Sequence, residues 1–396
     1  MRYVEKFFLG SIFLKQFYIF QSGGLQIADI FFLVAFCIYI YIKRYFKVRK
    51  IDRKIMSFFA FVYFINLTYF FIYQNRGFLS TTMYYLFIIM VIILFRELAT
   101  SKDFLEKLAR VLKINLVIQL VIFFSGMGRY YAESRYMGTF NDPNQMGFSI
   151  YISFMLIFLI YNLLRKKLNI IYYIITVFLI MNTSSTGMLF GIASFSVLYI
   201  VFKIYKLIKN RKMTIFKISL IIACSIGFSF IIVNKPSNIN LNKLEEILSI
   251  ASGNDKPIII FDRMEEKLNR ENQKQSVLEE RGIDKLYKYP FYNLFGAGQG
   301  LYSRFKKAAH GGEIHSTLPS ILFSYGIIPL IIIIIWGLSN LKKIPLEMSA
   351  IYISLILESF TLLNQRQPLF WIIFMVGYLY EFKDKLKSEK EVGCNE

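Results

Sequence analysis

"FLSTTMYYLFIIMVIILF", residues 78–95, decides the fold. It holds no charged side chain and is bracketed by Arg76 and Arg96. Wound as a helix, a stretch of this length covers the hydrocarbon core of a bilayer, which takes roughly 20 residues. Similar apolar blocks recur along the chain, at about 5–21, 25–42, 55–74, 111–126, 146–164, 168–183, 186–203, 215–233, 318–339, 346–363 and 368–382. With the opening stretch they predict about twelve transmembrane helices. The composition agrees: 56% of residues are hydrophobic, with 41 Phe and 27 Tyr, more apolar than a soluble chain requires. The fold class expected is therefore all-α, a polytopic membrane bundle. Lys15 interrupts the first block, and no small-residue cleavage pattern follows a clean apolar core, so a cleaved signal peptide is not indicated.

The formal net charge of +21 would suit a nucleic-acid binder, but its distribution does not. Lys and Arg crowd into alternate connections: residues 43–54, Arg96 to Lys113, 165–167, Lys203 to Lys217, 342–343 and Lys383 to Lys390. The short connections between them hold only Arg76, Arg129, Arg135 and Arg366. This is the positive-inside pattern, which predicts both termini in the cytoplasm and no nucleic-acid partner. Cys37 and Cys224 fall inside predicted spans and Cys394 in the tail, so no external disulfide or cysteine metal site is available.

Three regions follow: a transmembrane bundle over 1–233, an external loop over 234–317, and further spans with a cytoplasmic tail over 318–396. A loop this long is uncommon unless functional or disordered. "LNKLEEILSIA", 241–251, places Leu241, Leu244, Leu248 and Ala251 on one helical face, with Asn240 as N-cap, and 261–281 reads as a second, polar helix. The loop folds back over the outer mouth of the bundle.

Polar motifs collect on that outer side. In "RYMGTFNDPNQMG", 135–147, Asp142 as N-cap, Pro143 at the first helical position and Gln145 three residues on make a capping-box variant. Arg135 has no part in capping, so with Asn144 it is a candidate for facing a polar ligand. "NTSSTG", 182–187, reads first as a tight turn capping the next helix and second as a hydroxyl lining. "FGAGQG", 295–300, lacks the strand and βαβ context of a dinucleotide loop, though its backbone N–H groups could form an anion nest. Arg281 is a surface cation unless a ligand claims it. His310 and His315 are the only imidazoles; five positions apart, they stand about 140° apart on a helix, and Gly311 and Gly312 oppose one between them. Even with Glu313 they lack the spacing of a helical metal pair, and no metal or other cofactor is called for. Glu358 and Asp29 are acids at span ends, a thin basis for an ion pathway.

Taken in order, "RYMGTFNDPN", "SSTG", Arg281 ahead of "LFGAGQG", and "HSTLPSILFSYGIIP" resemble the O-antigen ligase and polymerase superfamily of bacterial membrane proteins, over nearly the whole chain. The resemblance implies a GT-C-type glycosyltransferase acting on polyprenyl-pyrophosphate-linked glycans outside the cytoplasmic membrane. It makes Arg281 the arginine that binds pyrophosphate and His315 the histidine that assists the acceptor. It places Arg135, Asp142, Pro143 and Asn144 in the family's first motif. Where family members often carry an arginine in the Ser-x-Thr-Gly turn, this chain has Ser185; Arg135 or Arg304 would have to replace that cation.

The chemistry suits these residues. A departing lipid pyrophosphate leaves negative charge that arginines can hold, and an imidazole can take a proton from the attacking hydroxyl. The expected catalytic residue is His315, with Arg281, Arg135, Asn144, Asp142, Arg304 and His310 on the substrate. The expected function is polymerisation of lipid-linked oligosaccharide repeat units into a capsular or O-antigen polysaccharide (Wzy-type). Partners would be the lipid-linked oligosaccharide, the bilayer, a chain-length regulator and a flippase. A ligase moving finished glycan to an acceptor is the near alternative. A transporter or flippase of the same lipids is the distant one, opposed by the weight of polar motifs on one face.

Overall fold

The computed structural model describes residues 1–20, 26–45, 48–132, 134–209 and 277–382. Its main helices are α1 (Arg2–Leu14), α2 (Ile27–Lys43), α3 (Arg53–Tyr73), α4 (Gly77–Leu98), α5 (Lys102–Phe124), α6 (Pro143–Leu163), α7 (Ile171–Thr183) and α8 (Thr186–Lys209). After these come α9 (Thr317–Tyr325), α10 (Ile327–Asn340), α11 (Leu346–Ser359) and α12 (Pro368–Tyr378). Each apolar block that falls on described residues holds a helix over all or part of its length. Four helices are long and apolar enough to cross a membrane: Lys50–Tyr73, Gly77–Leu98, Pro143–Leu163 and Thr186–Ile208. The segments Ile171–Thr183, Ile327–Asn340 and Pro368–Phe382 are apolar but shorter. The block at 215–233, the helix expected over 241–251, most of that over 261–281, Cys224 and Cys394 lie outside the described residues.

Helix α6 is apolar on every side and 78% of its apolar window is buried, as a helix without a polar face must be when it runs through the middle of a bundle. Outer helices instead turn apolar side chains outward: Phe64, Phe71 and Ile72 on α3, and Val197, Ile200 and Val201 on α8, are all exposed. Water would penalise such faces and hydrocarbon would not. Ion pairs Glu5–Lys107 (2.8 Å), Lys166–Glu106 (3.0 Å), Lys43–Glu97 (3.7 Å) and Lys206–Glu347 (2.6 Å) all tie together connections that the charge pattern assigns to one side. The basic connections therefore share one end of the bundle.

Three local expectations are corrected. Helix α1 stops at Leu14, well short of residue 21, because Lys15 turns to Asp29 at the start of α2 (2.6 Å), an apolar block being unable to house an unpaired ammonium. A short antiparallel hairpin, β1 (Arg129–Tyr131) and β2 (Arg135–Gly138), interrupts the all-helical pattern. Tyr130 and Tyr136 face each other across it, and the Tyr136 ring packs edge-on against Phe123 at 4.9 Å. The block at 318–339 is broken at Gly326 into α9 and α10. Gly326 has φ +85°, and a Cβ there would run into the Leu294 carbonyl.

The break has a partner. The carbonyls at the end of α9 accept from the chain at 295–300: Ala297 N–H donates to Phe323 O (2.9 Å) and Gly298 N–H to Ser324 O (2.8 Å). Gln299 N–H donates to Asn66 Oδ1 on α3 (3.0 Å). A Cβ on Gly296 would lie 2.7 Å from the Ser324 carbonyl oxygen, so this close approach requires glycine. The anion-nest reading of "FGAGQG" is thereby overturned: these N–H groups are spent on the bundle.

Candidate functional site

The segment 309–316 lies across the end of the bundle where α9 begins, pinned by groups from four directions. Ala309 N–H donates to Asp284 Oδ2 (2.7 Å), and Lys285 Nζ donates to the His310 carbonyl (2.6 Å). Glu313 accepts from Gln299 Nε2 and from Arg366 Nη2, the latter at 2.9 Å. His315 N–H donates to the Arg281 carbonyl (2.9 Å), and Ser316 Oγ to the Phe360 carbonyl. A segment holding two glycines would not keep one shape without such ties.

The pinning brings the two imidazoles together. Their ring centres are 5.1 Å apart, although no helix joins them. His315 keeps an exposed face, yet the surrounding protein strips water from its other side. That burial, with His310, Arg281 and Lys285 nearby, pushes the imidazole below its usual value; Glu313 opposes the shift. At neutral pH His315 is therefore the free base.

Arg281 follows the helical turn Val277–Glu280 and donates through Nη1 to the Thr361 carbonyl, in the connection between α11 and α12. Burial pulls it below the ordinary arginine range, opposed by Glu280 and Glu358, but an arginine stays charged under such a shift. Glu358 itself is fully buried in α11, accepting from Asn364 Nδ2 at 2.5 Å. Beneath the histidine segment, Lys285 is wholly buried; burial lowers it and Asp284 resists. Asp284 is buried too, but the Ala309 amide and Lys288 outweigh that burial and hold it below the usual carboxylate range.

The first motif forms a second cluster. Asp142 caps α6, its Oδ1 accepting from Asn144 N–H (2.8 Å) and Gln145 N–H (3.1 Å), so its capping role accounts for it. Arg135 reaches from β2 to donate to Asn144 Oδ1 (2.9 Å) and the Thr183 carbonyl (3.2 Å). Ser185 Oγ donates to the same Asn144 oxygen (2.9 Å). Ser184, at φ +50°, makes the tight turn expected of "NTSSTG". The two clusters meet through Thr361: its carbonyl takes Arg281, and its side chain packs on Gly187 in the first turn of α8.

Arg304 stands differently. Its guanidinium lies over the rings of Phe305 (4.6 Å), Tyr69 (4.8 Å), Tyr73 (5.2 Å) and Phe78 (5.4 Å) and donates to the Ala297 carbonyl. It fastens the loop to α3 and α4 rather than sharing the Thr361 connection with Arg281.

Sequence reasoning missed Lys285, Asp284, Gln299 and Arg366. Lys285 sat in an ordinary basic stretch, and only its burial sets it apart. The Arg366–Glu313 pair joins residues over fifty positions apart, a contact no local pattern announces. Among the described residues, no group of three or more His, Cys, Asp or Glu could hold a metal ion.

The chain matches no family model, no curated protein and no solved structure.

Proposed function

We propose that the chain is a membrane glycosyltransferase that polymerises polyprenyl-pyrophosphate-linked oligosaccharide repeat units, as the O-antigen ligase and polymerase superfamily does. Its site would lie on the outer face of a bacterial cytoplasmic membrane, with both termini in the cytoplasm. The observation that carries this reading is the 2.9 Å hydrogen bond from His315 N–H to the Arg281 carbonyl. It brings together the residue expected to take a proton and the residue expected to hold pyrophosphate, from positions 34 apart in the chain.

In the reaction, a hydroxyl of the acceptor unit attacks the anomeric carbon of the lipid-linked donor. A carbon–oxygen bond forms to the acceptor, and the bond to pyrophosphate breaks. The hydroxyl proton passes to the neutral His315 imidazole, and polyprenyl pyrophosphate departs with its electron pair. Arg281 faces the growing charge, while the field of buried Lys285 both favours the anion and keeps His315 deprotonated. Arg135 and Asn144, across Thr361, border the same mouth and would orient sugar hydroxyls.

The test is the pattern of lipid-linked and surface glycans in cells lacking the protein, complemented with wild type or His315→Ala. Collapse of the polymer ladder to single units, unrestored by His315→Ala, is expected, with a rate loss of about 10²–10⁴ for a general base. Long polymer that forms but is not transferred would instead mark a ligase. Units trapped on the cytoplasmic side would mark a transporter.

A further inference from the structure

At the end of the bundle away from His315, α5 and α6 border a cleft of about 90 Å³ lined by Glu106, Ala109, Arg110, Lys113, Tyr161, Leu164 and Lys166. Asn144 and Tyr161 lie seventeen residues apart on α6, which separates this cleft from the first-motif cluster by about 26 Å along the axis. Three cations face one carboxylate. Glu106 takes up Lys166 at 3.0 Å. Lys113 is held only by neutral groups: it donates to the Tyr161 hydroxyl at 2.7 Å and lies over the rings of Tyr161 (5.2 Å) and Tyr172 (5.4 Å). Arg110 is exposed and has no hydrogen bond or ion pair among the described residues. Arg110 and Lys113 therefore line one space without an ion pair among the described residues, the carboxylate of Glu106 being taken by Lys166.

We propose that this cleft binds the phosphate of an anionic lipid headgroup. A phosphodiester supplies one negative charge and several acceptor oxygens, matched by a planar arginine fork and an ammonium. Location agrees with charge. The cleft shares its end of the bundle with the basic connections and their ion pairs, where a membrane surface would lie, and such basic pockets between helices suit lipid headgroups. Tyr161 and Tyr172 stand beside Lys113 as aromatic side chains do at a membrane–water interface. Ala109 and Leu164 give the cleft an apolar wall against which glycerol and the first acyl carbons can rest. A zwitterionic headgroup would bring its own cation toward Arg110 and be disfavoured. The inference requires only that this end meets a membrane; it stands whether or not the outer site is a polymerase.

The experiment uses the full chain in detergent, titrated with phosphatidylglycerol or phosphatidylcholine, reading retained lipid by native mass spectrometry and thermal stability in parallel. Wild type is expected to retain phosphatidylglycerol in preference and to melt higher with it. Arg110→Ala, which removes no internal contact, should lower that retention about fivefold, one surface cation's share. Lys113→Met serves as a second variant, with a loss of similar size. Arg53→Ala, an exposed cation at the same end outside the cleft, should change nothing. Equal retention by Arg110→Ala and wild type overturns the proposal, as does an equal loss in Arg53→Ala. If inorganic phosphate stabilises wild type as strongly as phosphatidylglycerol, the lipid assignment fails in favour of a free anion.

Discussion

Arg96 and Arg281 stand at opposite ends of the bundle, and the protein treats them in opposite ways. Arg96 is 3% exposed and fully answered: Nε and Nη2 each donate to Asp52 at 2.9 Å, and Nη2 also to Asn340 Oδ1 at 2.7 Å. Nη1 reaches the Met375 carbonyl at 3.2 Å, and the Tyr378 ring lies 4.8 Å away. Trp336 Nε1 donates to the same carboxylate at 3.3 Å. Arg281 is only half-buried and donates to one carbonyl, with Lys285 and the His pair nearby. Neutralised charge at one end locks α3, α4, α10 and α12 together. At the other end Arg281 feels Glu280 and Glu358 but forms no ion pair among the described residues, which leaves it able to meet an anionic ligand. An internal ion pair is justified by what it fastens, and an unanswered cation by what it awaits.

The sharpest way to break this contrast is to unbalance the answered end. Asp52→Ala would leave a buried guanidinium without its carboxylate, and is expected to cost about 3–5 kcal/mol. The measurement is thermal unfolding in detergent, with the monodisperse yield after extraction as a second reading. Pairing it with Arg96→Met should recover much of the loss, because removing both charges also removes the desolvation cost. A double variant no more stable than Asp52→Ala would show that the network matters for something other than charge balance.

The unanswered end should behave in reverse. Arg281→Gln removes a partly exposed cation that holds one carbonyl, so the fold should survive with its melting point nearly unchanged. Polymer formation should fall by roughly ten- to a hundredfold, the worth of one charge-assisted contact to a phosphate oxygen. A melting point that falls as far as that of Asp52→Ala, with activity per folded molecule intact, would make Arg281 a structural residue and erase the contrast.

How much of this was legible beforehand follows from the range of the interactions involved. Hydropathy is a local property, so the helices were readable as blocks, and the side-by-side ion pairs follow the predicted alternation of connections. Helix starts were readable for the same reason: Asp142 and Pro143 announce α6 within three residues. The break at Gly326 was hidden by the apolar run around it. Its signal was present in "YGIIP", a glycine at a helix C-cap followed by a proline in the next first turn, a pattern that hydropathy averages away. The glycines of "FGAGQG" suggest in sequence no more than a possible anion nest, because sequence cannot say that α9 offers its free carbonyls there. Arg135, Asn144 and Ser185 meet, as the second, hydroxyl-lining reading of "NTSSTG" allows. Lys285 and the Glu313–Arg366 pair were out of reach, since burial and long-range pairing exist only once the chain at 281–316 lies on the bundle.

The smallest effect expected is also the most direct probe of the field at the His315 end. His315 is pushed below its usual imidazole value by burial, His310, Arg281 and Lys285, with Glu313 pulling up. A base works when unprotonated, so polymerisation should decline on the acid side, at a lower pH than an ordinary imidazole would set, as His315 takes up a proton. Glu313→Gln deletes an upward influence and leaves Arg366 without this carboxylate, two changes of the same sign. The acid limb of kcat/KM should therefore move to still lower pH while the plateau rate stays within a small factor of wild type. Lys285→Met should move the limb the other way, because it removes a cation that resists protonation. A purely structural disturbance lowers the plateau and leaves the limb in place. Opposite displacements from two substitutions flanking one imidazole would tie the pH profile to His315, and limbs that stay put in both variants would assign the rate-limiting proton to another group.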